Sequence, residues 1–479
     1  MENFITDITN AYLPEFILTI FIVLSFLASI FFSTYLYKLS KWFTLLGITL
    51  ALASTFYLPI SPEDYAFHNE FLSNIYTVFF RILILMCGFF LVLLSRNLIR
   101  EKRDKAFEYF TVLLSALLFA MCTVSVNDFV SLFVSLEGLG ITTYLLLNFS
   151  KTPDAKQLSF GYLIQGAAAS MLFLFGLSYL YGLCAQLGFW EVSEFFTKNP
   201  PQVLLTFSLV LITCPILFKL GLMPFSSWVA DTFKGASFPI AAFVSSVPVL
   251  ACFGILSRLL MIMLPFTTSL RLVFAIIAVL TVICGSLCAI RQTNVKKLMA
   301  YSMSVQSGIM LLGLCVFSVY SLSSVLFYLF CYVFSNIGVW SALVLFYNSC
   351  KKEEIDDFKG LIFHRPYFVI SFTTVLIALA GLAPTCGFVA KLYIFSAVAR
   401  SGFVFLPFLM TMLLASVIMI FAYWKLIRAM FRRVECSADI DNHVISSKFI
   451  LYFCAIATVI ICIYADKIIQ LCQYTSLDM

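Results

Sequence analysis

Apolar runs of about 20 residues follow one another almost from end to end of this 479-residue chain, and each can cross a bilayer core of about 30 Å. In hydrocarbon no water is at hand for backbone amides, so such a segment must bond its own backbone as a helix. Composition agrees: 62% of residues are hydrophobic and 11% charged. The chain therefore reads as an all-α polytopic membrane protein with about 14 transmembrane helices. They lie roughly at 12–36, 41–60, 73–97, 107–125, 127–149, 158–184, 203–224, 237–263, 270–291, 297–318, 322–348, 366–395, 403–430 and 448–471. The N-terminus, Met1 to Asp7, lacks the basic start of a cleaved signal peptide, so the first helix is expected to be retained.

Charge sets the expected orientation. Odd-numbered loops carry the cations: Lys38 and Lys41; Arg96, Arg100, Lys102, Arg103 and Lys105; Lys151 and Lys156; Lys234; Arg291, Lys296 and Lys297; Lys351, Lys352, Lys359 and Arg365; Arg432 and Arg433. Loop 2, Ser61–Glu70, has no Lys or Arg. Odd loops are expected on the cytoplasmic or matrix side, with both termini opposite. A net charge of +6 spread over such loops implies topology, not nucleic acid. The 15 cysteines are scattered through apolar runs and read as small buried hydrophobes, and no dinucleotide, Walker or haem motif is present.

Two helices are expected to break. In Phe218-Lys-Leu-Gly-Leu-Met-Pro-Phe-Ser-Ser-Trp-Val-Ala-Asp-Thr-Phe-Lys-Gly-Ala236, Lys219 closes an apolar run, and Gly221 and Pro224 interrupt the helix. In Thr374-Val-Leu-Ile-Ala-Leu-Ala-Gly-Leu-Ala-Pro-Thr-Cys-Gly-Phe-Val-Ala-Lys391, Gly381, Pro384 and Gly387 do the same ahead of Lys391. The breaks fall in segments 7 and 12. If segments 4–8 and 9–13 are repeats, both occupy the fourth helix of a five-helix unit, and the odd repeat length inverts the second unit. Paired interrupted helices point to an ion path. Lys219 alone also reads as a snorkelling lysine at a helix end.

Glu137 sits near mid-depth of segment 5, where a carboxylate is costly. Glu137, Lys219 and Lys391 are therefore the candidate proton-transfer residues. A carboxylate near a lysine inside the membrane can tip a proton on or off it. Asp128 reads as a solvated helix-start acid, and Asp231, beside Lys234, as a group bonded to local backbone. His68, His364 and His443 lie in loops and do not read as ligands.

The stretch Phe218–Pro239 resembles the segment 7–8 signature of the antiporter-like subunits of respiratory complex I, which are related to subunits of multi-component sodium/proton antiporters. Arg291-Gln-Thr-Asn-Val-Lys-Lys-Leu-Met-Ala-Tyr-Ser302 and Gly381–Tyr393 narrow the resemblance to the subunit N family of NADH:quinone oxidoreductase, subunit 2 in mitochondria. The resemblance spans roughly residues 70–430. It implies 14 helices with two inverted five-helix repeats: N-terminal helices in 1–106, repeats in 107–263 and 264–431, and a last helix in 432–479. It implies that Glu137 and Lys219 match the glutamate–lysine pair of one half-channel and Lys391 the terminal lysine of the other.

The resemblance further implies a non-redox membrane-arm subunit that carries protons, coupled to quinone reduction, beside neighbouring antiporter-like subunits in an inner membrane. No cofactor is expected on this chain; FMN, iron–sulfur clusters, NADH and quinone would belong to the wider complex. The alternatives are a sodium/proton antiporter subunit and a structural subunit with degenerate conduction. Departures from the family pattern feed the last. Gly161 and Val249 stand where members carry lysines, Gln306 where many carry a histidine, and Ser226 at another histidine position.

Overall fold

The computed structural model describes residues 12–31, 37–57, 64–66, 70–150, 153–198, 203–263, 268–432 and 445–477. Lys151, Arg433, His68 and His443 lie outside these residues. The spanning helices are α1 (Leu13–Phe31), α2 (Tyr37–Thr55), α3 (Ile75–Leu94), α4 (Ala106–Ser125), α5 (Phe129–Leu147), α6 (Pro153–Cys184), α7a (Val203–Lys219), α7b (Ser227–Gly235), α8a (Phe238–Val244), α8b (Val247–Met263), α9 (Thr268–Ile290), α10 (Val295–Cys315), α11 (Val319–Cys350), α12a (Pro366–Ala380), α12b (Cys386–Arg400), α13 (Leu406–Phe431) and α14 (Ile445–Ile463). Among the described residues, 11 spans are long and apolar enough to cross a membrane. The shorter α7a and α12a, with α2, complete the expected set of about 14. A small antiparallel hairpin, β1 (Asp64–Ala66) with β2 (Phe71–Ser73), lies in the second loop.

Local chemistry sets the helix ends. Asp128 opens α5 by accepting from Val130 N at 2.7 Å and Ser131 N at 3.2 Å, the helix-start role expected of it. Asn294 caps α10 through the amides of Lys296 and Lys297. Reciprocal Asn74–Thr77 and Ser318–Ser321 bonds start α3 and α11. Pro366 stands in the first turn of α12a and Pro407 in that of α13, where no amide donor is needed.

The chain divides into two compact units. The first comprises Met1–Leu220, Val247–Arg271 and Leu477–Met479. Within it α4 is the hub, packed by α1, α2, α3, α5 and α8b, and α6 runs along α7a. The second comprises Gly221–Ser246 and Leu272–Ser476. Its hub is α11, packed by α8a, α10, α12a, α12b and α14, and α7b packs on α10. The chain passes from the first unit to the second between Leu220 and Gly221, at the expected break.

Enclosure within the units follows these packings. The windows of α10 and α11 are each 94% buried, against 22% for α1 and α6. The open helices present Phe26, Ile30, Met171 and Phe175 outward, as hydrocarbon-facing helices do. In the second unit, Lys296 pairs with Glu353 at 2.6 Å and lies over the Phe238 ring at 4.4 Å. Backbone bonds Val295 N–Glu353 O and Ile355 N–Thr293 O close the same clamp. The Arg291–Ser302 motif thus ties the loop after α11 to the start of α10.

Candidate functional site

Glu137 is the ninth residue of α5, and Lys219 is the last of α7a. Pro215 lies one turn before Lys219 and takes away the amide that would bond the Leu211 carbonyl. Glu137, Lys219, Tyr162 and Ser170 line one cavity of about 50 Å³ in the first unit. Lys219 is only 5% exposed. Its ammonium lies against Gly140, where an added Cβ would stand 2.9 Å from Nζ. The Ser170 hydroxyl reaches both Glu137 Oε1 and the Gly166 carbonyl; having one proton, it donates to one at a time. Glu137 and Lys219 form no direct ion pair: the cavity they share separates them. Such a space admits water with polar groups on its wall.

Lys391 belongs to the second unit and is also 5% exposed. Helix α12a ends in a Schellman turn. Gly381, at φ +77°, bonds back to Ala378 and Ile377, and Leu382 N to Ile377 O. That leaves the Leu379 and Ala380 carbonyls without helix partners. Lys391 Nζ donates to Ala380 O at 2.7 Å and Leu379 O at 3.4 Å, and the negative end of a helix favours a cation there. Gly381 makes room: a Cβ on it would meet Lys391 Cδ at 2.5 Å. Gly387 lets α12b start against the Ala378 carbonyl, 1.8 Å from where its Cβ would sit.

The site extends onto α10. Gln306 Nε2 donates to Leu379 O at 2.9 Å, while Tyr328 donates to Gln306 Oε1. Tyr423 lies 3.5 Å from the same Nε2 and bonds Ser302. Nearby on α10, the buried hydroxyls of Ser304 and Ser307 have no hydrogen-bond partner. The two breaks share a positive-φ glycine three residues before a cis proline: Gly221 and Pro224, Gly381 and Pro384. Their lysines differ, since Lys219 precedes its break and Lys391 follows its own.

The other positions fall as follows. Gly161 has open space around it, Val249 is fully buried, and Ser226 bonds the Met223 sulfur at 2.9 Å. Asp231 does not bond local backbone as expected. It is exposed and faces Lys297 at 3.8 Å, because α7b packs beside α10. His364 is exposed at the end of a short helix.

A second buried charge cluster lies in the first unit, at positions not singled out from the sequence. Arg81, fully buried in α3, bonds Glu15 of α1 at 2.7 Å, Ser73 at 2.9 Å, and stacks on Tyr12. Arg258 of α8b donates to the carbonyls of Val124 and Val126, between α4 and α5. A lone charge in an apolar run, the signal that picked out Glu137, was present at Arg81 and Arg258 as well. Pro215 carried the same proline signal as Pro224 and was passed over, whereas nothing in the spacing of Gly140 and Ser170 distinguishes them from ordinary helix residues.

A family model described as "NADH:quinone oxidoreductase/Mrp antiporter, TM" matches residues 126–419. The chain is 33% identical over 426 residues to the chloroplast NAD(P)H-quinone oxidoreductase subunit 2 of Chlorokybus atmophyticus, covering 87% of this chain and 82% of that one. In fold it is similar to a chain of respiratory complex I from Thermus thermophilus, with a TM-score of 0.80, 24% identity, and coverage of 95% of this chain and 98% of that one. It is also similar to a chain of the Mrp complex from Dietzia sp. DQ12-45-1b, with a TM-score of 0.82, 14% identity, and coverage of 97% and 96%.

Proposed function

The chain belongs to the NADH:quinone oxidoreductase/Mrp antiporter membrane family, and from that premise we propose that it is the subunit N-type member of the membrane arm of a proton-translocating NADH:quinone oxidoreductase. It works within an enzyme complex, beside other antiporter-like membrane subunits, and moves protons rather than electrons. FMN, iron–sulfur clusters, NADH and quinone are bound by other subunits. It resides in an inner membrane with both termini on the side opposite the basic loops, and residues 107–263 and 264–431 are inverted repeats.

The observation that carries the proton role is the shared cavity of Glu137 and Lys219. The cavity has room for a water between carboxylate and ammonium, which form no direct ion pair. Ser170 can leave Glu137 for the Gly166 carbonyl as the carboxylate changes charge. Lys391 supplies the second half. An ammonium has three N–H donors and a neutral amine two. Two are used on Leu379 and Ala380, so Lys391 can release its third proton and keep both bonds. The cap favours the ammonium, yet both bonds can hold the side chain in place in either charge state.

Co-purification tests the assignment. Peripheral flavin and iron–sulfur subunits should accompany the chain. Their absence, with proton-driven sodium exchange in vesicles, would favour the multi-component antiporter that shares this fold. Orientation is read by a cysteine label placed between residues 63 and 70, which should react from outside. Reaction only from the side of the basic loops would invert the topology.

A further inference from the structure

Lys38 and Lys41 on α2, and Arg96, Arg100 and Arg103 after α3, line one cavity of about 510 Å³ in the first unit, with Trp42 at its edge. No carboxylate lines it. Among the described residues, Lys38, Lys41, Arg96 and Arg100 make no ion pair. These four like charges around one space repel one another, and an anion among them removes that cost. Four positive charges also exceed the charge of a single phosphodiester. The membrane side of the cavity is as distinctive. Leu39, Trp42, Leu46 and Leu50 recur at three- and four-residue spacing, and so form one stripe of α2. They are 53%, 67%, 51% and 47% exposed. Tryptophan at the head of such a stripe belongs at the hydrocarbon–headgroup boundary.

We propose that this cavity binds an anionic phospholipid, with a two-phosphate headgroup among the four cations and an acyl chain along the Leu46–Leu50 stripe. Basic pockets between helices at the inner membrane face hold headgroups of this class. A free phosphate satisfies the cations but not the stripe. An acidic segment of a partner subunit leaves the lipid no place.

The probe is diphosphatidylglycerol with a photoactivatable group on one acyl chain, added to the assembled complex in mild detergent. Label is expected on α2 between Leu39 and Leu50, displaced by unlabelled diphosphatidylglycerol but not by millimolar inorganic phosphate. A matching phosphatidylcholine probe should label this stretch only weakly. Arg96→Gln with Arg100→Gln should lower labelling about thirtyfold at sub-saturating probe. If that pair does not assemble, Lys38→Gln with Lys41→Gln gives the same reading. Equal labelling by phosphatidylcholine, displacement by inorganic phosphate, or unchanged labelling of the variants would overturn the proposal. So would an unlabelled wild-type α2, which would mean that another subunit covers the site.

Discussion

Lys391 and Gln306 donate to the same carbonyl, that of Leu379, at 3.4 and 2.9 Å. The acceptor is one of two that the end of α12a leaves open, so a charged and a neutral side chain from different helices complete one helix terminus. In an apolar interior such carbonyls cannot be left unbonded cheaply. Lys391 is therefore built into the helix end, and its structural role and the proton-carrying role proposed for it need variants that separate them.

Lys391→Arg keeps a cation with donors at the helix end, yet a guanidinium does not give up its proton. The arginine variant should assemble normally and lose proton pumping coupled to quinone reduction, whereas Lys391→Ala should lose both pumping and some stability. Vesicle acidification measured beside assembly on native gels distinguishes them. An arginine variant that pumps at the wild-type rate would leave Lys391 a structural cap only.

Gln306→Leu strips the Leu379 carbonyl of its shorter bond and the Tyr328 hydroxyl of its acceptor. The Leu379 carbonyl keeps the longer bond from Lys391, while the buried Tyr328 hydroxyl left unpaired costs about 1–3 kcal/mol. The variant should melt at lower temperature in the purified complex, and Gln306→Glu should restore an acceptor to Tyr328 but no donor to Leu379. Unaltered melting in Gln306→Leu would mean that these groups find other partners.

Glu137→Gln and Lys219→Ala should each cut coupled turnover by about tenfold or more. Because both line one cavity, the double variant should be little worse than either single, as for residues acting together. Losses that multiply in the double variant would place the two on separate routes.

The Glu15–Arg81 pair predicts a stability effect rather than a turnover effect. Arg81 is fully buried, and Nη2 and Glu15 Oε2 have no hydrogen-bond partner. Removing one member strands the other, at about 3–5 kcal/mol. Glu15→Gln should lower the yield of assembled complex, and Arg81→Met with Glu15→Leu should recover most of it. Thermal melts of the three complexes give the comparison. A Glu15→Gln complex as stable as wild type, with lowered turnover, would instead place the pair on the proton route.

Sequence alone determined the class of fold and where it is interrupted. A bilayer leaves so few ways to satisfy a backbone that run length, Gly221, Pro224, Gly381 and Pro384 were enough to set helix number and breaks. The cost of a charge in hydrocarbon likewise picked out Glu137, Lys219 and Lys391. What surrounds them was decided by tertiary structure. Lys219 shares a cavity with Glu137, and Gly140 leaves the space on α5 that its ammonium occupies. Lys391 points back to the end of its own broken helix because Gly381 ends that helix with two carbonyls open. Gln306, read from sequence only as a missing histidine, proved to be a partner of that end. Asp231 found Lys297 rather than local backbone. Hydropathy and periodicity report what each helix needs from its solvent. Which donor meets which acceptor depends on packing between helices far apart in the chain, and no local pattern encodes that.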